Sequence, residues 1–254
     1  YLRDLLENPV KIFGLIKDDL IELKEKYGDE RRTDITHAEG EVNMEDLIAD
    51  QPCIITISNV GYIKRVPIDT YKAQRRGGKG VAGMATRDED FVEHLFVANT
   101  HDTILFFTSA GRVYWEKVYK IPETTRTSRG KAIVNLLNIG NDEQIAAMIR
   151  VREYDENRFL LMATEKGVVK KTNLGRYRNI RQGGIIAINI DEGDRLIEVK
   201  LTEGEDEVII TTANGKSIHF EETQLRDQGR VTRGVRGIRL REGDRVQSME
   251  VLAP

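Results

Sequence analysis

The sequence predicts an all-β fold: a radial, propeller-like array of four-stranded blades, with four repeats visible, preceded by a short α-helical segment. Three observations predict it. First, four segments share one pattern of apolar run, hydroxyl residue, two variable residues and glycine: CIITISNVG (53–61), TILFFTSAG (103–111), FLLMATEKG (159–167) and VIITTANG (208–215). Second, each is followed by a basic glycine segment: QRRGGKGVAGM (74–84), TSRGKAIVNL (127–136), IRQGGIIAINI (180–190) and VTRGVRGIRL (231–240). From Gly61, Gly111, Gly167 and Gly215 to Gly78, Gly130, Gly184 and Gly234 the gaps are 17, 19, 17 and 19 residues. Third, every unit closes on another strand-like run: FVEHLFVAN, EQIAAMIRV, DRLIEVKL and DRVQSMEVL.

Taken in chain order, the first fifth reads as helix. Val10, Ile12, Phe13, Ile16, Leu20, Ile21 and Leu23 recur at helical spacing. Asn8 and Pro9 suit the start of that helix and Gly28 its end. So short a helical stretch cannot bury a core of its own, so residues 1–35 are expected to be the tail of a larger helical domain. Opening on Tyr1 rather than Met likewise suggests a fragment. Residues 36–50 read as a linker or edge strand, and 51–254 as the blade domain. Within each repeat, an apolar run ending at a glycine turn and followed by a mixed run predicts a β-hairpin, with the glycine supplying the positive φ of the turn. Adding the later runs gives about four strands per unit of ~50 residues, the period of propeller blades.

Composition narrows the function. The chain has 254 residues, 39% apolar and 32% charged, with net charge -3. The single cysteine, Cys53, rules out an internal disulfide. Apolar runs of about five residues are too short to span a membrane as helix, and no signal peptide opens the chain, so a cytoplasmic protein is expected. The net charge conceals an asymmetry. Residues 1–50 carry 7 basic and 14 acidic side chains, and residues 51–254 carry 32 and 28. The blade region is therefore mildly basic, and charge distribution is the better guide to a polyanionic partner.

No catalytic or metal-binding constellation emerges. His37, His94, His101 and His219 are scattered, without metal-site spacing. Gly78 to Gly83 matches GxGxxG, but neither a buried strand precedes it nor a helix follows. Asn214-Gly215-Lys216-Ser217 resembles the end of a P-loop but has Ile210 where the leading glycine belongs.

Basic residues instead recur at equivalent places in the repeats. After the turn glycines stand Lys64 and Arg65, Arg112, Lys170 and Lys171, and Lys216. Around the glycine segments stand Arg75, Arg76 and Lys79; Arg126, Arg129 and Lys131; Arg176, Arg178 and Arg181; and Arg230, Arg233, Arg236 and Arg239. Equivalent positions in a radial array lie on one rim, and a curved rim of Lys and Arg suits a bent duplex held through its phosphates. Aromatic residues make up only 6%, which disfavours base stacking on single strands.

Gln74-Arg75-Arg76-Gly77-Gly78-Lys79-Gly80 resembles, without mismatch, the seven-residue box of the DNA gyrase A family. The repeats are similar to that family's C-terminal β-pinwheel, a propeller variant whose blades exchange strands. Leu23 to Ile35 (LKEKYGDERRTDI) is similar to the end of the family's helical breakage–reunion region. The resemblance implies a domain that binds, bends and chirally wraps duplex DNA on its rim, with the box residues joining the ends of the ring and holding the wrap. It implies no cofactor in this chain, with Mg2+ and ATP used by the whole enzyme. It implies the gyrase B protein and a second copy of the gyrase A protein as partners there, no membrane partner, and a monomeric fragment with neither DNA-cleaving nor ATPase activity. The related domain of topoisomerase IV, and a protein-binding propeller scaffold, are the alternative readings. The family's pinwheel commonly has six blades, against four repeats here.

Overall fold

In the computed structural model, residues 2–29, 33, 44–71, 84, 90–140 and 143–253 are described. The box, Gln74 to Gly80, lies outside them. The chain divides into two units, Tyr1–Asn43 and Met44–Pro254.

The first unit holds α1 (Leu2–Glu7) and α2 (Pro9–Tyr27). Asn8 caps α2, its side-chain oxygen accepting from Val10 N at 3.2 Å, with Pro9 in the first turn where no N–H is needed. Gly28 N donates to Lys24 O at 2.8 Å and ends the helix. Phe13 and Leu20 stay well exposed, and α2 has no buried residue.

The second unit is all-β. Its strands are β1 (Pro52–Ser58), β2 (Tyr62–Pro67), β3 (Val92–Asn99), β4 (Thr103–Thr108), β5 (Arg112–Lys117), β6 (Lys131–Ala132), β7 (Ile145–Val151), β8 (Phe159–Thr164), β9 (Val168–Asn173), β10 (Ile185–Ile186), β11 (Leu196–Thr202), β12 (Glu207–Thr212), β13 (Ser217–Glu221), β14 (Val235–Arg236) and β15 (Val246–Leu252). They form four antiparallel sheets in the orders β3-β1-β2-β6, β7-β4-β5-β10, β11-β8-β9-β14 and β15-β12-β13. Each of the first three sheets therefore takes its fourth strand, two residues long, from the next repeat. The expectation of about four strands per repeat holds only in this shared sense. Each described repeat after the first lends its short strand to the blade before it, and blade 4 has three strands among the described residues.

The core lies between successive sheets rather than inside any one of them. Ile55, Ile57 and Ile63 of blade 1 meet Ile104, Phe106 and Tyr114 of blade 2. Leu105, Phe107 and Val113 face Leu160, Met162 and Val199 of blade 3. Leu161, Ala163 and Val169 face Val208, Ile210 and Met249 of blade 4. In β4 and β8, odd and even residues thus serve opposite neighbours. A strand buried on both faces reads as an unbroken apolar run instead of an alternating one, which is why ILFF and LLMA stand in the sequence.

Each hairpin turn is closed by the repeated hydroxyl and glycine. Gly61, Gly111, Gly167 and Gly215 have φ of 88, 75, 84 and 76°. The N–H of the following residue donates to Ser58, Thr108, Thr164 or Thr212 Oγ at 3.2, 3.4, 3.1 and 3.2 Å. Residues 44–47, within the expected linker or edge strand, form a 3-10 turn held by Lys117 Nζ to Glu45 at 2.7 Å, and His101 Nε2 bonds Ile48 O just beyond it.

Candidate nucleic-acid interface

The exchanged strands define the outer edge of the array. β3, β7, β11 and β15 stand at the opposite end of each sheet order. Glu93, Gln144, Arg195 and Arg245, near the starts of these four strands, line one common cleft. β6, β10 and β14 are therefore peripheral, together with the loops that lead into them.

Each exchange turns on one glycine. Gly130, Gly184 and Gly234 have φ of 83, 72 and 96°. A Cβ on Gly234 would lie 2.5 Å from Val169 O, and one on Gly184 within 2.9 Å of three Tyr114 ring atoms. On Gly130 it would strike Ile63 O. Only glycine permits both the left-handed backbone and the approach to the preceding blade's second strand. Ile133 N then donates to Gly61 O at 2.8 Å, Ala187 N to Gly111 O at 2.8 Å and Gly237 N to Gly167 O at 2.8 Å. The turn glycine of one blade is thereby bonded to the next repeat three times over.

Several residues expected on the rim are inside the molecule. Lys64 and Lys170 are fully buried and Lys171 nearly so. Lys64 Nζ donates to the carbonyls of Thr125 (3.3 Å), Arg126 (2.5 Å) and Ser128 (2.8 Å). Lys170 Nζ donates to Ala187 O (2.6 Å), Thr232 O (3.3 Å) and Arg230 O. Burial, with the nearby charges of Arg230 and Arg176, pushes the Lys170 ammonium down to about 7. Lys171 Nζ pairs with the buried Glu222 at 3.1 Å and lies 4.3 Å from the centre of the Phe159 ring. Arg65 is also tied down, its Nε donating to Ile121 O at 2.8 Å and Nη1 pairing with Glu123 at 2.9 Å. The physical reason is strand exchange: the second strand of each blade is covered by the following repeat, so these basic residues face carbonyls and carboxylates and not solvent.

The others differ in exposure and in what holds them, and all but Arg112 and Lys216 lie in or beside the exchanged segments. Lys131, Arg181 and Arg236 are exposed and have no ion pair among the described residues. Arg176 and Arg233 are exposed but held by Asp227 (2.7 Å) and Asp191 (2.5 Å). Arg178 donates to Tyr154 O at 3.3 Å, and Arg112 to Gly183 O at 2.8 Å. Arg126, Arg230 and Lys216 are half-buried. Arg129 stacks its guanidinium on Tyr62, 3.7 Å from the ring centre, with its buried Nε unpartnered among the described residues. Tyr62, Asp191 and Asp227 are not among the residues the sequence points to. Their partners lie between 42 and 67 residues away, so no local pattern marks them.

Residues 54–99, 102–152, 158–203 and 206–253 match the family described as "DNA gyrase C-terminal domain, beta-propeller". Its segments coincide with the four repeats, each holding the three long strands of one sheet. The chain is similar to the DNA gyrase A protein of Clostridium acetobutylicum, 48% identical over 93% of this chain and 28% of that protein. It is 46% identical to the DNA gyrase A protein of Mycolicibacterium smegmatis over 100% of this chain and 30% of that one. The chain thus spans less than a third of the length of the curated relatives it matches. Among solved structures, the C-terminal domain of DNA topoisomerase IV superposes with a TM-score of 0.70 at 30% identity, covering 82% of this chain and 63% of that one. A DNA gyrase A C-terminal domain superposes at 0.64 and 24% identity, over 79% and 65%, and shares the fold. With four family segments laid on four strand-sharing blades, the chain belongs to the DNA gyrase C-terminal domain family.

Proposed function

We propose that this chain binds duplex DNA along the outer edge of its blades, bends it and wraps it with a fixed hand. It would do so for a whole enzyme that introduces negative supercoils. The observation that carries the reading is the recurrence of exposed basic side chains beside the exchanged strands of successive blades: Lys131, Arg181 and Arg236. Phosphates spaced along a duplex fit cations repeated from blade to blade, and the positive-φ glycines beside them bring backbone N–H groups close to the same surface. The box residues Arg75, Arg76 and Lys79 are proposed as further phosphate contacts.

The chemistry of strand passage is assigned elsewhere. Mg2+ and ATP, with the gyrase B protein and a second copy of the gyrase A protein, belong in this proposal to the whole enzyme. Among the described residues no group of three or more His, Cys, Asp or Glu could hold a metal, and no helix is long and apolar enough to cross a membrane. The chain's own part is positional: it would hold and bend the DNA segment without cleaving it. The proposed place of action is the bacterial cytoplasm.

The test is duplex binding across a salt series. Replacing Lys131, Arg181 and Arg236 together by Ala removes three phosphate contacts, and each contributes about 0.9 to the log–log salt slope. The expected result is a slope shallower by about two to three, with the unfolding midpoint unchanged. An unaltered slope and affinity would contradict the reading. The topoisomerase IV superposition supports a second reading, in which the same rim selects DNA substrates without chiral wrapping.

A further inference from the structure

Two lysines that never reach the surface control the loops that do. The segment of residues 122–131 carries Arg126, Arg129 and Lys131, and the segment of residues 227–236 carries Arg230, Arg233 and Arg236. Each is bridged to the preceding blade's second strand near its start, Glu123 to Arg65 and Asp227 to Lys171, and joins a named strand only where its last residues form β6 or β14. Their backbones are gathered from beneath. In the first, the carbonyls of Thr125, Arg126 and Ser128 converge on Lys64 Nζ. In the second, the carbonyls of Arg230 and Thr232 converge on Lys170 Nζ, with Ala187 O completing the set. An ammonium has three N–H donors, so each lysine satisfies all three carbonyls at once. Arg126 and Arg230 leave the chain at residues whose carbonyls are fixed, and Arg129 and Arg233 at the residue after one.

The equivalence runs through the array. The lysine stands three residues after the turn glycine, at Lys64 and Lys170. Blade 2 has Tyr114 there, whose ring backs onto Gly184 while Arg112 Nη2 donates to Gly183 O at 2.8 Å. The same task of holding the next repeat's loop is thus done by an aromatic and a guanidinium. Blade 4 has Ile218, and no exchanged strand pairs with β13 among the described residues.

We infer that Lys64 and Lys170 are positioning residues for nucleic-acid binding, each fixing the backbone of the next repeat's arginine loop so that its cations meet phosphates together. The inference rests on the DNA-binding reading above. Removing the ammonium takes one hydrogen bond from each of three inward carbonyls; Thr125 O and Thr232 O keep a backbone donor in Ser128 N and Asn189 N, whereas Ser128 O and Arg230 O lose the partner that holds them inward, which loosens the loop. Its arginines then bind one at a time instead of as a set.

The experiment compares the full chain with Lys170→Met and Lys64→Met, using a linear duplex across a salt series. Hydrogen exchange at residues 125–131 and 228–236 is followed in parallel. For Lys170→Met the expected result is at least about tenfold faster exchange confined to 228–236, and a salt slope shallower by about one to three. Adding Arg230→Ala, Arg233→Ala and Arg236→Ala to Lys170→Met should then cost less affinity than the same three changes cost in the parent chain. Lys64→Met should do the same for residues 125–131 alone. Faster exchange with unchanged affinity and slope would overturn the inference and leave the DNA-binding reading intact. Loss of the β-sheet spectrum in both variants would also overturn it, since the lysines would then hold blades rather than loops. Failure of the parent chain to bind duplex at any salt would sink the DNA-binding reading itself.

Discussion

Single residues carry this fold where backbone geometry leaves no alternative. Gly234 combines a φ of 96° with a Cβ position 2.5 Å from Val169 O. Gly234→Ala is therefore expected to destabilise the chain by about 1–3 kcal/mol, read as a lower denaturant midpoint. Gly215 is the control, with a φ of 76° and open space around its Cβ. Its alanine variant should suffer the conformational cost without the collision. Asp244 provides a second residue-scale test. Its Oδ1 accepts from Asn214 N at 3.1 Å and Arg245 N at 2.9 Å, bracing the fourth turn. Burial opposes its ionisation, but hydrogen bonds from Thr212 and these two N–H groups outweigh that and hold its carboxyl below the usual range. A carboxyl lowered by folding stabilises above its unfolded pKa, and that contribution is lost as pH falls through the folded value. Acid unfolding should accordingly set in below pH ~4 and be shallower in Asp244→Asn, measured by fluorescence-detected unfolding along a pH series. The turn glycines and hydroxyls were legible in the sequence, because each acts within four residues of its partner. The burial of Lys64 and Lys170 was not, because the carbonyls that enclose them arrive up to 64 residues later. Read locally, a basic residue beyond a hairpin turn is a surface residue.

At the scale of elements, the two-residue strands β6, β10 and β14 matter beyond their length. Each pairs with the blade before it and brings along a loop that covers that blade's second strand. Repeat period predicted the number of sheets correctly, but the sharing of strands came only from a family resemblance. Apolar patterning cannot reveal it, since two residues are too few to show a period. The exchange also creates the buried pair of Lys171 and Glu222, which ties blade 3 to the segment following β13. Thr202 Oγ1 donates to Glu222 at 2.7 Å and Gly204 N at 3.1 Å, so this carboxylate is well satisfied. Glu222→Ala would strand the Lys171 ammonium, and a loss of about 3–5 kcal/mol is expected. Removing both partners, as Lys171→Met with Glu222→Leu, should restore much of that loss. Denaturant titration of the single and double variants checks both statements, and equal losses in all three would contradict them.

For the whole molecule, the array separates two tasks by radius. The strands β3, β7, β11 and β15 converge on a common cleft, apolar faces fill the spaces between blades, and Lys131, Arg181 and Arg236 stand exposed in or beside the outermost strands. Net charge says little about such a surface, since the acidic excess of residues 1–50 hides the basic balance of the blades. Duplex bending over 20–30 base pairs costs on the order of 1–6 kcal/mol, which phosphate contacts on several successive blades can offset. The central claim is that these contacts wrap DNA with a fixed hand. The measurement that tests it most directly is ligation of nicked circular plasmid in the presence of the purified chain, with topoisomers resolved after the protein is removed. The account predicts a shift to positively supercoiled topoisomers. It should fade as salt rises and disappear in a variant with Arg75, Arg76 and Lys79 replaced by Ala. Binding with no change in linking number would contradict chiral wrapping and leave a domain that only holds or bends its DNA.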